Sequence, residues 1–144
     1  MDVSLIITRL KEQVPDLGGR VAGAAALAQM MAQNGLPQVT PAAHVLPTGI
    51  MGGRETAQTG MYRQEIERLF AIVLSVRSHD GSGSRALGAA EALIEAVVLA
   101  LAGWTPDPAA GVFRLKRVAL ARFAEGMAVY EITVGLPDQL RIMP

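Results

Sequence analysis

The sequence of 144 residues contains no cysteine. That absence excludes disulfide frameworks and thiolate metal sites. It has only two histidines, His44 and His79, set far apart in the chain. Metal binding calls for three or more clustered ligands, and no such spacing is present. Net charge is zero, from 13 basic and 13 acidic residues. A general electrostatic pull towards nucleic acid or an anionic membrane is therefore not expected. Long uninterrupted apolar runs are also missing. The best candidate, Ala86 to Trp104, holds Glu91 and Glu95, and charge near a bilayer centre is costly. The N-terminus does not read as a signal peptide, because Asp2 stands in place of a basic start and Arg9, Lys11 and Glu12 interrupt the apolar run. Repeats and low-complexity tracts are absent too.

What remains is an apolar chain, 51% hydrophobic, long enough for one domain with its own core, residues 1–144. Val3, Ile6, Ile7, Leu10 and Val14 fall on one helical stripe, with Asp2 as a cap and Pro15, Gly18 and Gly19 as the stop. Arg20 to Gly23 reads as a short strand, and Ala24 to Gln33 as a short helix closed by Asn34-Gly35 and Pro37. Met30 and Met31 could serve an adaptable binding surface, but core filling is the favoured reading. A strand follows near Ala42 to Leu46, with Pro41 and Pro47 marking its ends or an edge. "TGIMGGRETAQTG", Thr48 to Gly60, reads as a glycine-rich polar loop of the kind that carries function.

"MYRQEIERLFAIVLSVRS" changes character halfway. Tyr62, Gln64, Ile66 and Arg68 alternate with Arg63, Glu65 and Glu67, whereas Leu69 to Leu74 is apolar on both faces. The pattern predicts a long strand whose second half is central and whose first half projects into solvent or a partner. From about Arg85 to Gly103 a second long helix carries Leu87, Ala90, Leu93, Ile94, Val97, Val98, Leu101 and Trp104 on one arc. Its other side is small, with Ala89, Ala92, Ala96, Ala100 and Gly103 and one exposed Leu99. That side reflects either alanine's helix propensity or close packing against a neighbour. Two strands, Val112 to Phe123 and Met127 to Val134, joined by "AEG", read as an antiparallel hairpin. By alternation Phe113, Leu115, Arg117, Ala119, Ala121 and Phe123 share a face, and Arg114, Lys116 and Arg122 point to the other side. The order of elements predicts an α+β fold, a mainly antiparallel sheet with two main helices packed on one face.

Chemistry is hard to find in these residues. The turn "HDGSGSRALG" has the outline of a phosphate cradle. A P-loop would need lysine where Ala89 stands, and a dinucleotide fingerprint would need glycine where Ala86 stands. A turn with Ser82 or Ser84 as helix cap is the simpler reading. His79-Asp80 has no nucleophile beside it. Glu65 and Glu67 could be paired carboxylates, but Arg63 and Arg68 lie close, which favours a solvated or intersubunit salt-bridge face. Arg114, Lys116, Arg117 and Arg122 cluster without interleaved aromatics, a weak signal for nucleic acid. An acidic partner or water would serve as well. No cofactor and no metal is expected.

The order of segments nevertheless resembles a known family. "VPDLGGRV" closing the first helix, then "LPQVTPAAHVLPTG", "EIERLFAIVLSVR", the helix ending in "GWTP", and "MAVYEITV" resemble the tail terminator (tail completion) proteins of long-tailed bacteriophages, notably of Mu-like phages and prophages. The resemblance spans nearly the whole chain and rests on structural segments, not catalytic signatures. It implies a structural, non-enzymatic virion protein that is assembled in the host cytoplasm. Six copies would form a ring at the head-proximal end of the tail tube. The ring would stop tube polymerisation and join the head-tail connector protein, with DNA passing through it without specific binding. Other readings are a stopper subunit of the neck, or a small nucleotide-binding enzyme or regulator. The sequence itself nominates the interface with neighbouring subunits or the tube: Ile50, Met51, Arg54 and Glu55 of the loop; Tyr62, Arg63, Glu65, Glu67 and Arg68 of the projecting half-strand; and Leu99, Arg114 and Lys116.

Overall fold

A computed structural model describes residues 2–33, 35, 37–58, 60–77 and 84–143, without the side chains of 57, 58 and 84–86. The turn at 78–83 lies outside the described residues, and with it His79, Asp80 and the proposed cap Ser82; the other proposed cap, Ser84, is the first residue of α3, its side chain undescribed. The elements are α1 (Ser4–Gln13), β1 (Val21–Ala22), α2 (Ala24–Gln33), β2 (Ala42–Gln58), β3 (Met61–Arg77), α3 (Ser84–Leu101), β4 (Arg114–Ala124) and β5 (Met127–Ile142). The strands form one sheet in the order β1-β2-β3-β5-β4. Only the two-residue β1 is parallel to its neighbour. This is the expected α+β architecture. No described helix is long and apolar enough to cross a membrane.

The core lies between one sheet face and the pair α1 and α3. Phe70, Ile72, Leu74 and Val76 of β3 stand on that face, beside Ala128, Ile132 and Val134 of β5. Against them pack Ile6 and Leu10 of α1 and Ala90, Leu93, Val97, Ala100 and Leu101 of α3. The expected stripe of α1 is thus the buried one. Asp2 serves its start, accepting the Ser4 N–H at 3.0 Å. Ala100, expected on the outer small side of α3, is buried instead, while Leu99 is 73% exposed. Helix α2 buries no residue, so Met30 and Met31 do not fill the core.

An aromatic clasp closes the core where α3 gives way to β4. Phe113 stacks on Trp104 at 5.8 Å and meets Phe70 edge-on at 5.9 Å. Their backbones are tied as well, Phe113 N–H to Trp104 C=O and Gly103 N–H to Phe113 C=O, both at 2.8 Å. The Arg9 guanidinium lies over the indole, 5.1 Å from the ring centre, and its Nε donates to Ala100 C=O at 2.9 Å. One cation thus fixes α1 to the carbonyl end of α3, where positive charge is favoured.

Two strands run much further than the sequence suggests. The segment 48–60 is not a loop: β2 continues to Gln58 and pairs with β3 as far as Gln58↔Met61. Strand β5 does not stop at Val134 but continues to Ile142, opposite Tyr62. Strand β4 ends at a two-residue turn, Glu125-Gly126, both with positive φ (56° and 73°), as a type I′ hairpin requires. Two bulges in β4, between Leu115 and Arg117 and between Leu120 and Arg122, reset its alternation. Arg117 therefore joins Arg114 and Arg122 on the face away from the helices, and Leu115, Val118, Leu120 and Phe123 share the helix side.

Phe113→Ala should cost about 3–5 kcal/mol of unfolding free energy, because it empties the clasp. Leu99→Ala should stay within about 0.5 kcal/mol, since that side chain has little to lose. Urea denaturation of the two variants checks the contrast.

Candidate assembly surface

Beyond the core, β2, β3 and β5 continue together as a three-stranded arm. It comprises about Gly49 to Gln58, Met61 to Arg68 and Leu136 to Ile142. The projecting half-strand foreseen at Tyr62 to Arg68 is real, but it is hydrogen-bonded on both sides. The arm has two faces. On the helix side lie Ile50, Glu55, Tyr62, Gln64, Ile66, Arg68, Leu136, Asp138, Leu140 and Ile142. Met51, Arg63, Glu65, Glu67, Gln139 and Arg141 lie on the other side. The nominated residues therefore divide between two surfaces. Arg54 sits in the irregular stretch between Gly52 and Glu55, and Leu99 stands apart on α3.

Glu67 anchors the arm to the body. Its side chain, only 9% exposed, crosses over β5 to reach β4. There Oε2 accepts from Arg114 Nε at 2.5 Å and Oε1 pairs with Lys116 Nζ at 2.7 Å. The crossing needs a gap in β5, and Gly135 supplies it. A Cβ at residue 135 would sit 2.5 Å from the Glu67 carboxyl carbon. Lys116 is the extra residue of the first β4 bulge, which leaves it free to turn towards the carboxylate. Burial alone would raise the Glu67 pKa, but the hydrogen bonds and charges of Arg114 and Lys116 outweigh it and hold the group below its ordinary value. The expected partners were Arg63 and Arg68. Arg68 instead pairs with Asp138 at 3.3 Å on the helix side, because it points the opposite way from Glu67 along the strand.

Around this anchor lies a shallow groove of about 990 Å³, lined by Met51, Glu65, Glu67, Lys116 and Arg141 among others. It holds charged groups of both signs and no pairing of nucleophile with base. Further out, the Tyr62 hydroxyl lies 3.1 Å from both Glu55 Oε2 and Gln64 Oε1. Its hydrogen bond to Glu55, then burial, raises the phenol's pKa. No group of three or more potential metal ligands occurs among the described residues. His44 is buried in β2, where burial lowers its pKa and Nδ1 has no partner.

The geometry is that of a part that fits against other parts, and comparison with known proteins agrees. The model of the phage tail terminator protein family matches residues 1–133. The chain belongs to the phage tail terminator family. It is accordingly a structural component of a phage virion, with a role in completing the tail. The match stops within β5, so the arm portion of that strand lies past it. No sequence match is found among curated proteins. Among solved structures, a chain from the virion of a native gene transfer agent particle is similar over 94% of this chain and 92% of that one, at 16% identity and a TM-score of 0.49.

Several residues of the arm escape the sequence reading. Asp138, Leu140 and Ile142 follow "GLP", which has the look of a strand end. The alternation Gln139, Leu140, Arg141, Ile142 is the signal that could have revealed them. Gly135 offers no sequence signal at all, since its role appears only when Glu67 lies above it.

Glu67→Gln should lower stability by roughly 1–2 kcal/mol near neutral pH, less than a fully buried pair because Arg114 and Lys116 keep contact with water. Because the folded-state pKa is depressed, the wild-type advantage is complete above the ordinary carboxylate range. It fades as pH falls through the folded value. Unfolding curves of the two proteins should therefore converge in acid. Gly135→Ala should also destabilise, by about 1–3 kcal/mol, through the collision with Glu67.

Proposed function

We infer that this chain forms a ring, a hexamer as the family resemblance implies, that caps the head-proximal end of the tail tube. The ring ends tube polymerisation and presents the surface to which the head connector joins. The whole of residues 1–144 acts as one domain, and the action is steric, with no catalytic step. The observation that carries this reading is the arm. Its helix-side face exposes Ile50, Leu140 and Ile142 with no helix over them. Large apolar side chains left open together on one sheet face of a small protein mark a surface made to be covered. The arm residues Ile50, Met51, Arg54, Glu55, Tyr62, Arg63 and Glu65 are assigned to contacts with neighbouring subunits or the tube. Glu67, Arg68, Arg114 and Lys116 set the arm's angle.

Particles assembled without this chain should contain tubes of uncontrolled length and heads without tails, as seen by electron microscopy. Adding the purified chain should restore uniform tails joined to heads. Uniform, joined tails in its absence would contradict the reading. Normal tube length with unjoined heads would assign the chain to the neck instead.

A further inference from the structure

We propose that the outer side of α3 docks on the face of β4 that points away from the helices, in a second copy of this chain, an inference that rests on the ring reading above. Leu99 is 73% exposed, the most open large apolar side chain among the described residues, and it stands outside the core. Between Leu87 and Leu101 the charges of α3 are Glu91 and Glu95, both exposed and spaced to share a side with Leu99. Among the described residues neither is in an ion pair. The outer side of α3 thus carries one bare leucine and two unmatched carboxylates.

The reverse face of β4 has the complementary features. Its one close neighbour among the described elements is β5. The bulges set Arg114, Arg117, Ala119 and Arg122 at successive places on this face, opposite Gly135, Thr133, Glu131 and Val129. Arg114 keeps its Nε on Glu67, yet its side chain is 61% exposed. Arg117 and Arg122 are exposed and, among the described residues, in no ion pair. Glu131 is one acid beside these two bases, so the strip stays basic. At Ala119 a hollow of about 240 Å³ opens, lined by Arg117, Ala121, Glu131 and Thr133 among others. Its alanine floor leaves room for one large apolar side chain from outside.

The spacings agree. Four residues of helix advance about 6 Å, and one step along a strand face advances about 6.6 Å. Place Leu99 in the hollow at Ala119 with helix and strand running the same way. Glu95 then comes level with Arg117, and Glu91 with Arg114. One step onward, Arg122 meets Ala102 and Gly103 at the carbonyl end of α3, where positive charge is favoured. The opposite direction leaves Glu91 and Arg114 without mates. Orientation fits as well. On one copy the outer side of α3 faces away from the sheet on the helix side, and the basic strip faces out on the reverse side. The two patches look in opposite directions, so a second copy docks without a half-turn and offers its own free patch to a third. Such a heterologous contact closes into a ring when the rotation between copies completes a circle.

The test uses the full chain, both purified over a range of concentrations and within assembled particles. Glu95→Arg and Arg117→Glu should each weaken self-association at least about fivefold, the order expected when an exposed ion pair becomes a like-charge contact. Together in one chain they should restore most of it. Both positions are exposed, so the circular dichroism of each variant should remain that of the parent. Undiminished association of either variant, or no recovery in the double one, would overturn the docking mode. Because the chain has no cysteine, Leu99→Cys and Ala119→Cys can be joined by a short bifunctional maleimide. A chain with both changes should give a ladder of multimers. Chains with one change each, mixed, should give only dimers, and either alone should give none. Rings of normal size without this link, or a single-cysteine chain that links to itself, would overturn the docking mode and leave the ring reading intact. A ladder that stops at the dimer, or no multimer in either setting, would overturn both.

Discussion

Helix and strand advance at different rates, and this chain is shaped by the difference. Strands β2 and β3 have 17 residues each, a length of about 56 Å at the usual rise. Helix α3 has 18 residues but reaches only about 27 Å. The helix can cover roughly half of the sheet it packs on. The other half is extended β-structure whose helix-side face mixes apolar side chains with Glu55, Arg68 and Asp138 and has no helix packed on it. Hydrogen bonding satisfies its backbone, but Ile50, Leu140 and Ile142 stay open to water.

The covered half is built for rigidity. Arg9, Trp104, Phe113 and Phe70 form one unbroken series of contacts from α1 to the centre of the sheet. Rigidity then passes to the arm through Glu67, which lies across the gap at Gly135 and takes both Arg114 and Lys116. The backbone adds a further tie where Gly111 N–H meets Pro137 C=O at 2.9 Å. An arm held at a fixed angle loses less entropy on docking than one that swings freely. Structure and assembly are linked at this point, because the ion cluster that stabilises the fold also aims the surface.

Much of this was legible in the sequence, and the exceptions have physical causes. The stripe of α1, the exposed Leu99 and the change of character within β3 follow from periodicity alone. Glycine and proline misled at three places. Gly49, Gly52 and Gly53 suggest a loop, yet they lie in a strand where side chains would crowd: a Cβ on Gly52 would stand 2.9 Å from Gln64 and one on Gly53 would stand 3.0 Å from the Glu65 carbonyl. Pro47 is tolerated because β1 pairs with β2 only at Ala43 and His44, leaving that side of β2 open further along. Pro137 looks like a terminator but continues β5 opposite Glu67. In β4 the fault lay in strict alternation, which two bulges break. Partners such as Glu67 with Arg114 are 47 residues apart in sequence, and only the strand order brings them together.

The central claim is that the arm is folded but bare in the free chain and covered in the assembly. Amide hydrogen exchange, compared between the isolated chain and assembled particles, tests it most directly. The account predicts that amides of residues 50–56, 62–68 and 138–142 exchange through local opening in the free chain and become strongly protected on assembly. Those of 70–76 and 128–134 should be protected in both. Equal protection of the arm in the two states would contradict it.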